Sequence, residues 1–123
     1  SGAFYSMTKY KKEIGASGEG GAAEWLTEHG YQIIARNART PYGEIDIIAQ
    51  QGDVTIFVEV KTLTSSKEYF PEKNITLKKQ EHMLNAAQYY TAEHEIDHFQ
   101  IDAIAVEGKP GLKPIITHFE NAI

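Results

Sequence analysis

The sequence predicts one α/β domain, a mixed central sheet flanked by helices, with its elements in the order α-β-β-β-α-β-β. Three observations predict it. Segments 12–29 and 76–92 carry apolar and small residues at helical spacing, which gives each a face to bury. Between and after them, short β-branched runs alternate with polar residues and are punctuated by Gly, Pro and Asp, the pattern of half-buried strands. A chain of 123 residues, 41% hydrophobic and 24% charged, supports one core and leaves little room for a second.

From Lys12 to His29, one stripe holds Ile14, Gly15, Gly18, Ala22, Ala23, Trp25 and Leu26, and the opposite side holds Glu13, Ser17, Glu24, Thr27 and Glu28. Glycine weakens a helix by about 1 kcal/mol relative to alanine, so these glycines point to close packing, with Gly30 as the stop. Tyr31 to Arg36 is a short strand. Thr40-Pro41-Tyr42-Gly43 turns into a second, Glu44 to Ala49. Gln51-Gly52-Asp53 turns into a third, Val54 to Lys61, antiparallel to the second. Residues 62–74 are polar, hold Pro71 and lack a period, so they read as a loop. Thr76 is the expected N-cap of a helix reaching about Ala92, with Leu77, Gln80, Met83, Leu84, Ala87 and Tyr90 as its stripe. Phe99 to Val106 is a fourth strand, and Lys109-Pro110-Gly111 leads to a fifth near Pro114 to Phe119.

The ends and the composition narrow the class. Residues 1–11 read as a flexible N-terminal segment, 1–6 as a vector-derived leader before Met7, and 12–123 as the domain. There is no cysteine, which gives no support to disulfides or thiolate metal sites and is compatible with a reducing cytoplasm. No apolar run approaches the roughly 18 residues of a membrane span, so no membrane role is expected. A net charge of −5 argues against a general nucleic-acid coat protein. It leaves room for a local basic site, because Arg36, Arg39, Lys61, Lys67, Lys73, Lys78 and Lys79 are seven of the 12 basic residues.

The chemistry concentrates in Phe57-Val58-Glu59-Val60-Lys61. Glu59 and Lys61 share one strand face, about 7 Å apart. Composition alone yields about one Glu-x-Lys by chance, and Glu107-Gly108-Lys109 is another in a turn. Context separates the two. The preceding strand, Glu44-Ile45-Asp46-Ile47, brings Asp46 toward Glu59, and Glu19 falls within the apolar stripe of the first helix. Charges placed in such company call for a cation or a mutual network, because burying them unpaired costs several kcal/mol each. Gln80 and Asp102 are further polar residues in apolar surroundings. Asp102 reads equally as a site residue or as a brace that binds a backbone amide. His94 and His98 read as surface histidines, and His29, His82 and His118 lack ligand-spaced partners. A solvated strand face is the bland alternative for Glu59 and Lys61. Tyr69 or Phe70 could stack on a base.

Gly18-Glu19 with Ala22-Ala23, Ala35-Arg36-Asn37, Gly43-Glu44-Ile45-Asp46, Phe57-Val58-Glu59-Val60-Lys61-Thr62, Lys79-Gln80, Ile101-Asp102 and Asn121-Ala122 together resemble the YraN family. That bacterial family is similar to archaeal Holliday junction resolvases within the PD-(D/E)xK nuclease superfamily. The resemblance implies a restriction-endonuclease-like core and a Mg²⁺- or Mn²⁺-dependent endonuclease acting on DNA, with branched or structured substrates and a homodimer. It implies Asp46 and Glu59 as metal ligands, joined by the Val60 carbonyl. Lys61 becomes the catalytic lysine and Glu19 an additional acidic catalytic residue, while Arg36, Lys79 and Gln80 contact substrate. Hard carboxylate oxygens suit such ions. Leu63 and Gln100 stand where the family usually carries arginine, which bears on phosphate contacts more than on hydrolysis. The competing reading is a noncatalytic DNA-structure binding or protein-interaction domain that inherited the fold.

Overall fold

The computed structural model describes residues 18–63, 76–108 and 112–123. Residues 1–17, 64–75 and 109–111, on which the expected N-terminal segment, start of the first helix, loop with Tyr69 and Phe70, and Lys109-Pro110-Gly111 turn fall, lie outside the described residues. Helix α1 spans 18–28. It ends at Gly30, whose φ of +89° lets the Tyr31 N–H reach the Leu26 carbonyl at 3.0 Å. A left-handed glycine thus caps the last carbonyls, as the sequence predicts.

Strands β1 (Gln32–Thr40), β2 (Gly43–Gln51) and β3 (Val54–Leu63) form an antiparallel meander. Gln51 pairs with Val54 around Gly52-Asp53, and Gly52 adopts the φ of +59° that so tight a hairpin needs. Helix α2 (Leu77–Glu93) crosses over so that β4 (Phe99–Glu107) lies parallel to β3, and β5 (Ile115–Phe119) pairs antiparallel with β4. Parallel neighbours need such a crossover. Strand order follows chain order, which puts β3 at the centre of a five-stranded mixed sheet. The third strand extends past Lys61 because Thr62 and Leu63 pair with Val106 and Glu107, and Leu63 is buried.

The sheet is buried on both faces. Ala22 and Leu26 of α1 pack on Ile47, Ile56, Val58 and Ile104, whereas Ala86 and Ala87 of α2 pack on Ile45, Ile48, Phe57 and Ile101. Two of the helix glycines are contact points: a Cβ on Gly18 would stand 2.2 Å from Thr62 Oγ1, and one on Gly21 3.3 Å from Pro114 Cγ. Gly20 meets nothing within 4 Å, so close packing does not account for it.

Thr76 caps α2 as expected, its side chain accepting the Lys79 N–H at 3.1 Å. The packed stripe differs from the predicted one. Leu77 is 83% exposed and Leu84 38%, while Met83, Ala86, Ala87 and Tyr90 meet the sheet. The two alanines allow the closest approach and set the helix rotation, so position 79 rather than 77 continues the inward face. No described helix is long and apolar enough to cross a membrane.

Candidate active site

The site begins where two strands part. The β2–β3 ladder runs from Gln51↔Val54 to Ile47↔Val58 and pairs no residues beyond. Past that point Asp46 Oδ2 accepts the Val60 N–H at 2.8 Å, so a carboxylate replaces backbone as the partner of β3. The alternation of β2 breaks at the same residue: Ile47 packs toward α1, while Ile45 and Ile48 pack toward α2. Across from it on β1, Asn37 takes a φ of +53°. Such a left-handed residue re-aims a strand locally, and asparagine tolerates it better than most residues.

The parted strands open a cleft of about 380 Å³ under the first turns of α2. Asp46, Glu59 and Glu44 line the sheet side, Phe57 and Ile101 lie at its base, and Lys78, Lys79, His82 and Met83 line the helix side. Burial pushes the Asp46 carboxyl up to about 7, the Glu59 charge adds to this, and the Val60 N–H opposes it. Glu19 and a side-chain hydrogen bond with Glu59 contribute further in the upward direction. Lys79 Nζ stands 2.5 Å from Glu59 Oε1. Two neighbouring carboxylates and a facing ammonium thus share a partly desolvated volume.

The other expected residues surround this centre unequally. Glu19 is engaged on its outer side, with Oε2 3.8 Å from Arg36 Nη2 and, in the amide orientation that satisfies both neighbours, 3.1 Å from the Asn37 side-chain nitrogen. The same nitrogen lies 3.0 Å from Glu44 Oε1. Arg36 therefore pairs with Glu19, a carboxylate expected at the site from the sequence. Val60 enters through its N–H, while its side chain packs in the core below α1. Lys61 is exposed, two residues beyond Glu59 on β3, and Lys61, Gln80, Glu19, Arg36 and Val60 are not among the residues that line the cleft. Asn37, Lys78 and His82 figured in the sequence only as part of a family motif, as one of the basic residues and as a histidine without a ligand-spaced partner, and none was expected at the cleft. Asn37 carried a signal, a residue type tolerant of positive φ inside a strand, whereas the two α2 residues depend on how the helix is rotated.

Asp102 is not part of this cleft. It is fully buried, and its Oδ1 accepts from Gln100 Nε2 at 2.9 Å and from the Asn121 N–H at 3.0 Å. Its Oδ2 lies 2.7 Å from His118 Nε2. His118 thus has a partner after all, brought from 16 residues away by the β4–β5 pairing, and Trp25 and Tyr31 set their rings edge-on to it. Asp102, His118 and Glu120 form the one group of three potential ligand residues with atoms within 4.8 Å of one another among the described residues. The donors already on both Asp102 oxygens make this primarily a brace between the sheet and the C-terminal residues.

Comparison with known proteins agrees with the extent of this fold. The model of the uncharacterised protein family UPF0102 matches residues 18–106, a span that includes α1, the parted strands, α2 and all but the last residue of β4. A UPF0102 protein of Syntrophotalea carbinolica is 40% identical over 118 residues, covering 94% of this chain and 95% of that protein. One of Caldicellulosiruptor saccharolyticus is 41% identical over 98 residues, or 78% and 83% of the two chains. One of Lachnoclostridium phytofermentans reaches 49% over 80 residues, or 65% and 68%. With a family model matched over most of its length and relatives aligned nearly end to end, the chain belongs to the UPF0102, YraN-like family.

Proposed function

We propose that the cleft is the active site of a metal-dependent endonuclease that hydrolyses DNA phosphodiester bonds. The observation that carries this reading is that Asp46 and Glu59 line one cleft at the point where β2 and β3 separate. Like charges held together under partial burial favour a proton or a cation between them. Their hard oxygens fit Mg²⁺ or Mn²⁺, with the Val60 carbonyl as a third donor. Such an ion, when bound, lowers the pKa of a water and neutralises charge on the phosphate.

The chain's own residues supply the rest. Asp46 is oriented by the Val60 N–H, which leaves its other oxygen for the cleft. Lys78 and Lys79 at the start of α2 offer positive charge to a phosphodiester, reinforced by the helix N-terminus. Lys61, exposed at the end of β3, can reach a water or phosphate oxygen once nucleic acid covers the site. Glu19, tied to Arg36 and Asn37, positions the outer wall. Branched or structured DNA is the substrate form the family resemblance favours, and symmetric cutting of it calls for a twofold pair of chains.

The test is nicking or cleavage of linear and four-way-branched DNA in the presence of Mn²⁺ or Mg²⁺. Wild type is expected to cut, and Glu59→Ala and Lys61→Ala are expected to lose activity while staying folded. Undiminished cleavage by both variants would sink the proposal. Metal-independent DNA binding without cleavage would instead support the noncatalytic alternative.

A further inference from the structure

The ion pair across the cleft has a cost that ordinary helix design avoids. The first turn of α2 contains no acidic residue and two lysines, Lys78 and Lys79, placed at the positive end of the helix dipole, where cations are disfavoured. Lys79 nevertheless continues the inward face of the helix one turn beyond Met83. Its ammonium stands against Glu59, whose side chain is only 15% exposed, whereas the Lys79 side chain is 54% exposed. The arrangement is asymmetric: the carboxylate is held in the sheet, and the cation is on an open, long-stemmed side chain that can leave.

We propose that Lys79 is an internal counter-cation of the cleft, which holds Glu59 while no metal is bound and must swing away for a divalent ion to enter. The inference rests on the assignment of Asp46 and Glu59 as the metal site and adds how that site is regulated. An ammonium 2.5 Å from Glu59 Oε1 occupies the shell that a Mg²⁺ or Mn²⁺ ion needs around that oxygen. The displaced lysine remains at the cleft rim, where the phosphate of a substrate supplies the anion it has lost. Metal and nucleic acid therefore bind cooperatively, because each relieves the charge that the other leaves unpaired.

The experiment is calorimetric titration of the full chain with MnCl₂ at pH 8, in the absence of DNA, for wild type, Lys79→Met and Lys113→Met. Lys113 is an exposed residue outside the cleft, so its variant reproduces the change in net charge alone. Removal of a competing cation about one ion-pair distance away, discounted for its solvent exposure, is expected to tighten Mn²⁺ binding on the order of tenfold in Lys79→Met. Lys113→Met should change it less than about twofold. A second readout is the NMR signal of the lysine ammonium groups. The Lys79 signal should be protected without metal and lose that protection on saturation with Mg²⁺.

Equal or weaker Mn²⁺ binding by Lys79→Met, in a protein whose wild type binds the ion, overturns the counter-cation role and leaves the metal site standing. Equal tightening by Lys113→Met does the same, since it reduces the effect to net charge. Absence of Mn²⁺ binding by every form overturns the metal site and the counter-cation role together.

Discussion

Asp46 Oδ2 and the Val60 N–H, 2.8 Å apart, form the bond on which the cleft depends. Backbone pairing of β2 with β3 stops at Ile47↔Val58, and the carboxylate takes over the next available donor. One side chain therefore both closes the end of the ladder and presents charge to the cleft. These two roles separate by substitution. Asp46→Ala leaves a partly buried N–H unpaired, and the expected loss is about 1–3 kcal/mol. Asp46→Asn keeps an acceptor oxygen and removes the repulsion with Glu59, so at pH 8 it should be at least as stable as wild type. Urea unfolding at that pH measures both. An Asn variant as weak as the Ala variant would contradict the hydrogen-bond role.

The upward shift of Asp46 to about 7 gives a pH dependence with a definite sign. Between the ordinary carboxylate range and about 7 the folded chain keeps this proton and the unfolded chain has lost it. The contribution of Asp46 to stability therefore falls as pH rises through that window and is level above it. Metal binding runs the other way, because the proton must leave before the carboxylate can serve as a ligand. Mn²⁺ affinity should rise up to about tenfold per pH unit below 7 and flatten above it, with a proton released per ion only on the sloping side. Calorimetry in buffers of different ionisation enthalpy reads that release, and Asp46→Asn should abolish it.

Gly18 offers a mechanical test of how α1 is seated. Its missing side chain admits Thr62 Oγ1, which would lie 2.2 Å from a Cβ at this position. Gly18→Ala gains helix propensity of about 1 kcal/mol but forces the threonine to rotate or the helix to lift. The net expectation is destabilisation of about 1–2 kcal/mol. Thr62→Ala removes the obstructing hydroxyl, so the double variant should recover most of that loss, a non-additivity readable from a double-mutant cycle. Additive losses would mean that Gly18 is not held by this contact.

These residues also mark the limits of reading the chain linearly. Period and turn chemistry placed the strands, the Thr76 cap and the Gly30 stop, because these depend on neighbours a few positions away. Glu59 and Asp46 were legible as a pair because two antiparallel strands joined by a tight turn must put their residues side by side. The parting of the strands at Asp46 was not, since it depends on where a ladder fails and on Asn37 of a third strand. The rotation of α2 was misjudged for a related reason: Leu77 and Leu84 are the more hydrophobic residues, but Ala86 and Ala87 permit the closer contact. His118 looked partnerless because its partner is supplied by strand pairing rather than by spacing.

The Asp102 network leads to a prediction that distinguishes a brace from a metal centre. Asp102 is fully buried, with three donor groups converging on it from Gln100, His118 and Asn121. The bond to Asn121, together with the Ala122 N–H to Ile101 carbonyl bond at 2.8 Å, fastens the C-terminal residues across the sheet. Asp102→Ala strands all three donors, and the expected loss is about 3 kcal/mol or more. Glu120 is exposed and, among the described residues, accepts a long 3.5 Å bond from the Tyr31 hydroxyl, so Glu120→Ala should cost less than about 1 kcal/mol. A brace further requires that EDTA leave the melting temperature of Glu59→Ala, which lacks the proposed cleft ion, unchanged. If chelation lowered it, and Glu120→Ala proved as damaging as Asp102→Ala, the three residues would be holding an ion rather than the chain terminus.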